Sequence, residues 1–427
     1  MVPKSLADIA TDGFFLSTAH DMCWKQLEKS LGGFIGMETN IQSEDSVQLR
    51  FYGANNTVDV TGKRIAQLIN GYWHWNTARS EKPHFSETEI PELYGSPRAT
   101  EMLHAAARTF EGGHPLVLSE RDNEVKDVIA LDLETAVCAK DSFAPPRPGD
   151  IPSEKVLIEG ISDPFIAEVD EVRAVVAFAH ARGLGIYEID HGLRLIGADS
   201  GDIIVDFLDG EISNVFVSIP ARESDASDDN WRLEDVSADS YYAAAEHSMF
   251  FSARYPEAVG KNVLLNLEAG RVLLDEKSGT EADALILATV RDNTFTWAWA
   301  DPQLASLPAQ SAMVAVQKFG IDKLIPAFVR RSMPAETARE LGLVQAAMPI
   351  VNKWTVVTAK LNESTTGIVL IDAPELQLPP LRPEVKQAVL DTAVPAHIDH
   401  TRAVEAYLAM RNLPRSAHSK STADEVH

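Results

Sequence analysis

The chain has 427 residues, 45% hydrophobic and 24% charged, a composition that excludes disorder over most of its length and allows two or three separate cores. A net charge of -25 argues against a nucleic-acid backbone or an anionic membrane surface as partner, since both would be repelled over much of the surface. No stretch approaches 18 consecutive apolar residues, and Cys23 and Cys138 stand far apart without a second thiol beside either. A soluble cytoplasmic protein without disulfides, metal or cofactor is expected.

Taken in chain order, the sequence repeats itself. Thr11 to Met22 returns 227 residues later as Ala238 to Met249. Asp12 and Asp239 are expected at helix N-caps, each followed by an aromatic pair, with the helices running to about Leu31 and Val259. Val47, Leu49 and Phe51, and in the second copy Val263, Leu265 and Leu267, alternate as half-buried strands do. Ile65 to Ile69, Asn70-Gly71 and Tyr72 to Trp75 predict a hairpin, and Leu287 to Arg291, Asp292-Asn293 and Thr294 to Trp297 predict another, displaced by 222. Both turn pairs suit the positive backbone angles of a tight connection.

Val117 pairs with Val357, and Leu131-Asp132 with Ile371-Asp372, at a constant displacement of 240, which implies a further hairpin of equal length in each copy. The second copy inserts a helical segment near Ala309 to Phe319, closed by Gly320, where the first has an irregular stretch from Ser80 to Ser96. Proline-rich connectors follow each copy, and then a helix from Asp170 to Leu184 returns from Asp399 to Leu413, displaced by 229. Val172, Val175, Val176 and Ala179 give that helix an apolar face. Strands at Gly185 to Ile189, Leu193 to Ile196, Ile203 to Phe207 and Val215 to Ile219 continue the first copy.

These landmarks divide the chain into repeat copy one (1–153), a helix plus small β segment (154–222), an acidic linker (223–238) with Trp231 as its docking residue, repeat copy two (239–383), terminal helices (384–413) and a polar tail (414–427). The fold class is α+β: two tandem divergent copies of a helix-capped antiparallel β-sheet unit. Meander topology is expected, with the N-terminal helix on the tryptophan face.

Residues from about Leu285 to Asp372, above all Asn293-Thr294-Phe295-Thr296-Trp297-Ala298-Trp299-Ala300-Asp301-Pro302, resemble an uncharacterised bacterial family, domain of unknown function 6882. Its pattern is a strand ending Trp-x-Trp-x-Trp-Ala-Asn-Pro, so Phe295 and Asp301 depart from it. The first copy keeps Trp73, Trp75 and Asn76 and resembles the family more weakly. The resemblance implies a fold and no activity.

The binding candidates are Trp73, His74, Trp75, Trp297, Trp299 and Asp301. Alternate strand positions share a face, so the indoles form either a core stripe or an aromatic wall along a cleft, with His74 or Asp301 orienting a ligand. The core stripe is the leading reading. His20 and His247 occupy matching helical positions and lack the neighbours of a metal site. His397-Ile398-Asp399-His400 is the densest cluster of possible ligands, with Asp399 explained as a cap. Asp132 and Glu134 look like the opening motif of two-metal exonucleases, without the further acids that chemistry needs. The leading expectation is a non-catalytic binding or scaffold protein whose partner is an unidentified protein or small ligand. The alternatives are a metal-dependent hydrolase or nuclease on Asp132 and Glu134, and a small-ligand binder with a tryptophan-lined cleft.

Overall fold

A computed structural model of the chain describes residues 2–43, 45–76, 90–93, 95–121, 124–139, 147–218, 231–275, 279–305 and 310–413. Helices combine with largely antiparallel sheets, so the chain is α+β, and it divides into two compact units, Met1–Ala226 and Ser227–His427. Residues 80–89 of the irregular stretch, residues 223–230 of the acidic linker and the tail 414–427 lie outside the described residues. No described helix is long and apolar enough to cross a membrane.

The first unit runs α1 (Leu6–Leu31), β1 (Phe34–Ile41), β2 (Ser46–Gly53), β3 (Thr57–Ile69), β4 (Tyr72–Trp75), α2 (Glu101–Phe110), β5 (Leu116–Glu120) and β6 (Val125–Cys138). Then come α3 (Ser153–Ile161), α4 (Glu171–Ala181) and the strands β7 (Gly185–Ile189), β8 (Gly192–Ala198), β9 (Gly201–Leu208) and β10 (Glu211–Ser218). Ser5, not Asp12, caps α1, its hydroxyl accepting from the Asp8 amide. Asp12 lies within the helix and accepts from the Arg173 guanidinium of α4 at 2.6 and 2.7 Å. A carboxylate held by a guanidinium fork has no need of backbone amides, which is why the local capping signal misplaced the helix start. Asp170 does cap α4, accepting from the Arg173 amide at 3.0 Å. On α4 the buried face is Ala174, Val175, Phe178 and Ala179, while Val172 is exposed.

The larger sheet has the order β1-β2-β3-β6-β5, with β4 on the free part of the same β3 edge that carries β2. It is therefore not a meander: β6 inserts between β3 and β5 because β3, at 13 residues, is long enough to pair along both edges. The two outer strands are bridged by the Thr39 and Ser119 hydroxyls at 2.9 Å. Val47, Leu49 and Phe51 point into the core as alternation requires. The hairpin turns at Asn70 (φ 51°) and Gly71 (φ 79°), with Leu68 opposite Trp73 and Ala66 opposite Trp75. Trp73 is covered by Leu103 and Ala107 of α2, so the helix on its face is α2 and not the N-terminal α1. The strands β7 to β10 form a separate antiparallel meander.

The second unit runs α5 (Leu233–Arg254), β11 (Asn262–Asn266), β12 (Arg271–Asp275), β13 (Thr280–Arg291), β14 (Thr294–Trp297), α6 (Gln310–Lys323) and α7 (Pro326–Val329). It continues through β15 (Ser332–Pro334), α8 (Ala335–Glu340), α9 (Leu343–Val351), β16 (Thr355–Lys360), β17 (Thr365–Asp372), α10 (Pro383–Leu390) and α11 (His400–Met410). Strands β11, β12, β13, β17 and β16 close on themselves, since β12 pairs with both β11 and β13 while β11 meets β16 in parallel. The second hairpin turns at Asp292 (φ 48°) and Asn293 (φ 61°).

Three expectations for this unit are corrected. Helix α5 begins at Leu233 and ends at Arg254, so Asp239 is interior, and it binds Arg402 of α11 at 2.7 and 2.8 Å. Val263 and Leu265 are half-buried on β11 as alternation predicts, but Leu267 lies beyond the strand and is exposed, and the fully buried positions in the first two strands are Val272 and Leu274 of β12. Gly320 does not end α6, which runs to Lys323; a Cβ there would stand 2.7 Å from the Phe328 Cβ, so the glycine allows close packing. Trp231 docks against Phe319, with Lys323 and Arg402 over its ring.

Several contacts occur in both units at the displacements read from the sequence. Asp8 and Asp12 face Arg173 as Asp235 and Asp239 face Arg402. Phe15 meets Phe178 at 6.0 Å between ring centroids, and Tyr242 meets Tyr407 at 6.0 Å. Arg182 donates to the Pro148 carbonyl at 2.7 Å, and Arg411, 229 residues on, to the Pro379 carbonyl at 2.7 Å, the two prolines lying 231 apart. Val117 pairs with Ile129, and Val357 with Val369, each residue displaced by 240.

Candidate functional site

Helices α1 and α2 approach closely because Gly13 has no side chain; a Cβ there would meet Thr109 Oγ1 at 2.0 Å. Arg108 then bridges them. Its guanidinium donates to Asp21 Oδ1 and Oδ2 at 2.7 and 2.9 Å and to the carbonyls of Ser17, Gly113 and His114 at 3.0, 3.2 and 3.3 Å. One side chain thereby ties α1, the end of α2 and the entry to β5.

Beside this clamp a cavity of about 330 Å³ opens between α1, α2, the start of β5 and the 3-10 turn Pro164–Glu168. Phe14, Trp24 and Phe165 supply aromatic wall, with the Phe14 and Phe165 rings stacked at 6.4 Å. Asp21, Glu101 and Asp163 bring carboxylates, and His104 lines the cavity with its Nε2 buried and without a hydrogen-bond partner. Burial, then the neighbouring Arg108, pushes the His104 pKa down.

Behind the cavity the His20 and His114 rings meet edge to face at 4.6 Å, and the Nδ1 of each is buried without a partner. Burial, then the charges of His114 and Arg108, takes the His20 pKa down to about 3. His114 is also shifted down by burial. Both rings are thus neutral in the folded protein at neutral pH.

The second unit holds a cavity of about 250 Å³ in the corresponding place. Phe14, Ser17, Thr18, Asp21 and Trp24 answer to Tyr241, Ala244, Ala245, Ser248 and Phe251 at a displacement of 227. Ala105, Pro115 and Leu116 answer to Gln345, Thr355 and Val356 at 240. The same 240 carries Leu103, Ala106 and Ala107, buried on α2, onto Leu343, Ala346 and Ala347, buried on α9. Arg108 thereby answers to Met348, and no charged side chain lines the second cavity. Its floor is Trp354, stacked at 5.9 Å on His247, whose pKa burial lowers to about 4.

The residues singled out in the sequence lie elsewhere. Trp73 and Trp297 are 2% and 0% exposed, within the cores of their units, and the Trp297 Nε1 donates to the Ala327 carbonyl at 3.0 Å. Trp75 meets Trp73 edge to face at 5.2 Å, and its Nε1 donates to the Glu92 carbonyl at 3.3 Å. His74 Nδ1 lies 2.8 Å from the Ser96 hydroxyl. Trp299 is half-buried under the Arg331 guanidinium. Asp301 is 7% exposed, accepts from the Thr289 hydroxyl at 2.8 Å and caps a 3-10 turn through the Gln303 amide at 2.9 Å. None of these six lines either cavity. Asp132 accepts from the Glu134 amide at 3.1 Å on β6, and no group of three His, Cys, Asp or Glu among the described residues is placed to hold a metal ion. His397 and His400 are exposed, and Asp399 caps α11 through the Arg402 amide at 3.0 Å.

Asp21, Glu101, His104, Arg108 and Asp163 were not singled out by sequence reasoning. The signal that reaches part of this set is the 240 displacement, carried back from the late hairpin into the helix before it.

Residues 234–374 match a family of unknown function (DUF6882), within the second unit. The first unit is not covered by that match. No curated protein and no solved structure matches the chain.

Proposed function

We propose that this is a non-catalytic small-ligand-binding protein built from two divergent copies of one α+β unit, each taking a ligand between its long first helix, the helix before the late hairpin and the first strand of that hairpin. The observation that supports it is the pair of cavities in matched places, with five wall positions at one displacement and four at another. Both are clefts open to solvent, each walled by the long first helix, the helix before the late hairpin and the first strand of that hairpin. Their size falls at or just below the range of small-molecule sites. Arg108 donates to Asp21 and to three carbonyls, which suits a wall better than a reacting centre. A reducing cytoplasm is the proposed setting, where buried Cys23 and Cys138 stay free thiols.

Ligand-observed NMR with a panel of small aromatic amines, alcohols and acids tests this on the full chain. Ala105→Phe fills the first cavity and Ala245→Phe the second, and each should remove the signals of its own subset of compounds. A panel in which no compound responds to either variant would refute the proposal.

A further inference from the structure

The two cavities share a place and differ in charge, and that contrast carries a ligand class. This step rests on the binding reading above. We infer that the first cavity selects an organic cation, an ammonium group on an aromatic or apolar body, while the second lacks the means to do so.

The first cavity is rich in acceptors and poor in donors. Asp21, Glu101 and Asp163 supply carboxylate oxygens, and the unpartnered His104 Nε2 adds a buried polar atom. The cation in the wall, Arg108, is engaged by Asp21 and three carbonyls. Lys25, whose charge is felt by Asp21 and Asp163, is bound to Glu159 at 2.8 Å. Arg108 and Asp21 cancel one another, so an anionic ligand would meet the carboxylates of Glu101 and Asp163 with the nearest cations already occupied. An ammonium, with three donors and no acceptor, is the complement.

The walls fit the same ligand. Trp24, Phe14 and Phe165 line it with aromatic rings, and a cation over such a ring gains roughly 0.5–2 kcal/mol, more as water is removed. The remainder of the lining, including Ala10, Ala105 and Val117, suits an apolar body. A chain of net charge -25 also concentrates cations at its surface.

In the second cavity every matched charge is gone: Asp21 becomes Ser248, Arg108 becomes Met348 and Glu101 becomes Leu341. The aromatic wall persists as Tyr241, Phe251 and Trp354. It serves as an internal control of like place and neutral lining.

Isothermal titration calorimetry of the full chain with 2-phenylethylammonium, 2-phenylethanol and phenylacetate separates the cases. The amine should bind the wild type and Ala245→Phe alike, be lost in Ala105→Phe, and weaken about tenfold in Glu101→Gln/Asp163→Asn, an asparagine still able to cap the 3-10 turn. In the unmodified chain its affinity should fall as salt is raised, with no variant required. The alcohol and the acid should bind the first cavity at least about tenfold more weakly. If the alcohol or acid equals the amine at a site that Ala105→Phe closes, cation selection is overturned and cavity binding stands. If amine binding ignores both Ala105→Phe and added salt, the assignment is overturned as well. If no compound binds, this inference falls, and the broader panel decides the binding reading separately.

Discussion

Replacing His20 by glutamine should flatten the acid side of the first unit's stability profile. His20 is 5% exposed, and burial beside His114 and Arg108 holds its pKa at about 3, against an ordinary value of 6.5. Between those values the unfolded chain binds a proton that the folded chain refuses, so stability is full above pH 6.5 and drains away as pH falls toward 3. From pH 7 to pH 5 the unfolded histidine goes from mostly neutral to mostly protonated while the folded one stays neutral. The linkage amounts to about 2 kcal/mol lost over that interval. Glutamine does not titrate, and its amide can take over the donor that His20 offers the Gly112 carbonyl. Whatever its stability at pH 7, the variant should lose about 2 kcal/mol less than wild type on going to pH 5. Urea unfolding of the full chain by circular dichroism at the two pH values measures this, in whichever transition the substitution moves. Equal slopes for the two proteins would refute the buried, neutral His20.

Other outcomes follow from named contacts. Arg108→Met should cost about 2 kcal/mol by leaving Asp21 and three carbonyls without their donor, and Asp21→Ser in the same chain should recover about 1 kcal/mol, since the pair then matches the second unit; a double-mutant cycle in urea shows whether the two are coupled. Trp297→Ala should destabilise the second unit by about 3–5 kcal/mol, read from the shift of its unfolding midpoint, because the indole is fully buried and its Nε1 bound. Gly71→Val should cost about 1–2 kcal/mol at φ 79°, whereas Leu118→Val, at an exposed position, should stay within about 0.5 kcal/mol by the same assay.

Local chemistry made part of this protein legible in its sequence. Tight turns announce themselves, because only residues tolerant of positive φ sit at Asn70-Gly71 and Asp292-Asn293, and the register of each hairpin follows from its turn. The 240 displacement pointed to a late hairpin in each unit, whose registers match although β6 is longer than β17, and alternation found the buried face of β2. Asp170 and Asp399 cap helices as their local pattern requires. Asp12 and Asp239 carry the same pattern and do something else, because arginines more than 160 residues later in the chain reach them. The insertion of β6 beside β3, the closing of the second sheet and the sealing of Trp73 and Trp297 depend likewise on which distant segments meet. The cavity is the extreme case: Asp21, Arg108 and Asp163 are ordinary charged residues far apart in the chain, brought together by the crossing of α1 and α2 at Gly13 and by the 3-10 turn after α3 that lies beside it. Backbone preference and periodicity act over a few residues, and they specify turns, caps and faces. A site is a set of long-range distances, and those come into being when the elements pack.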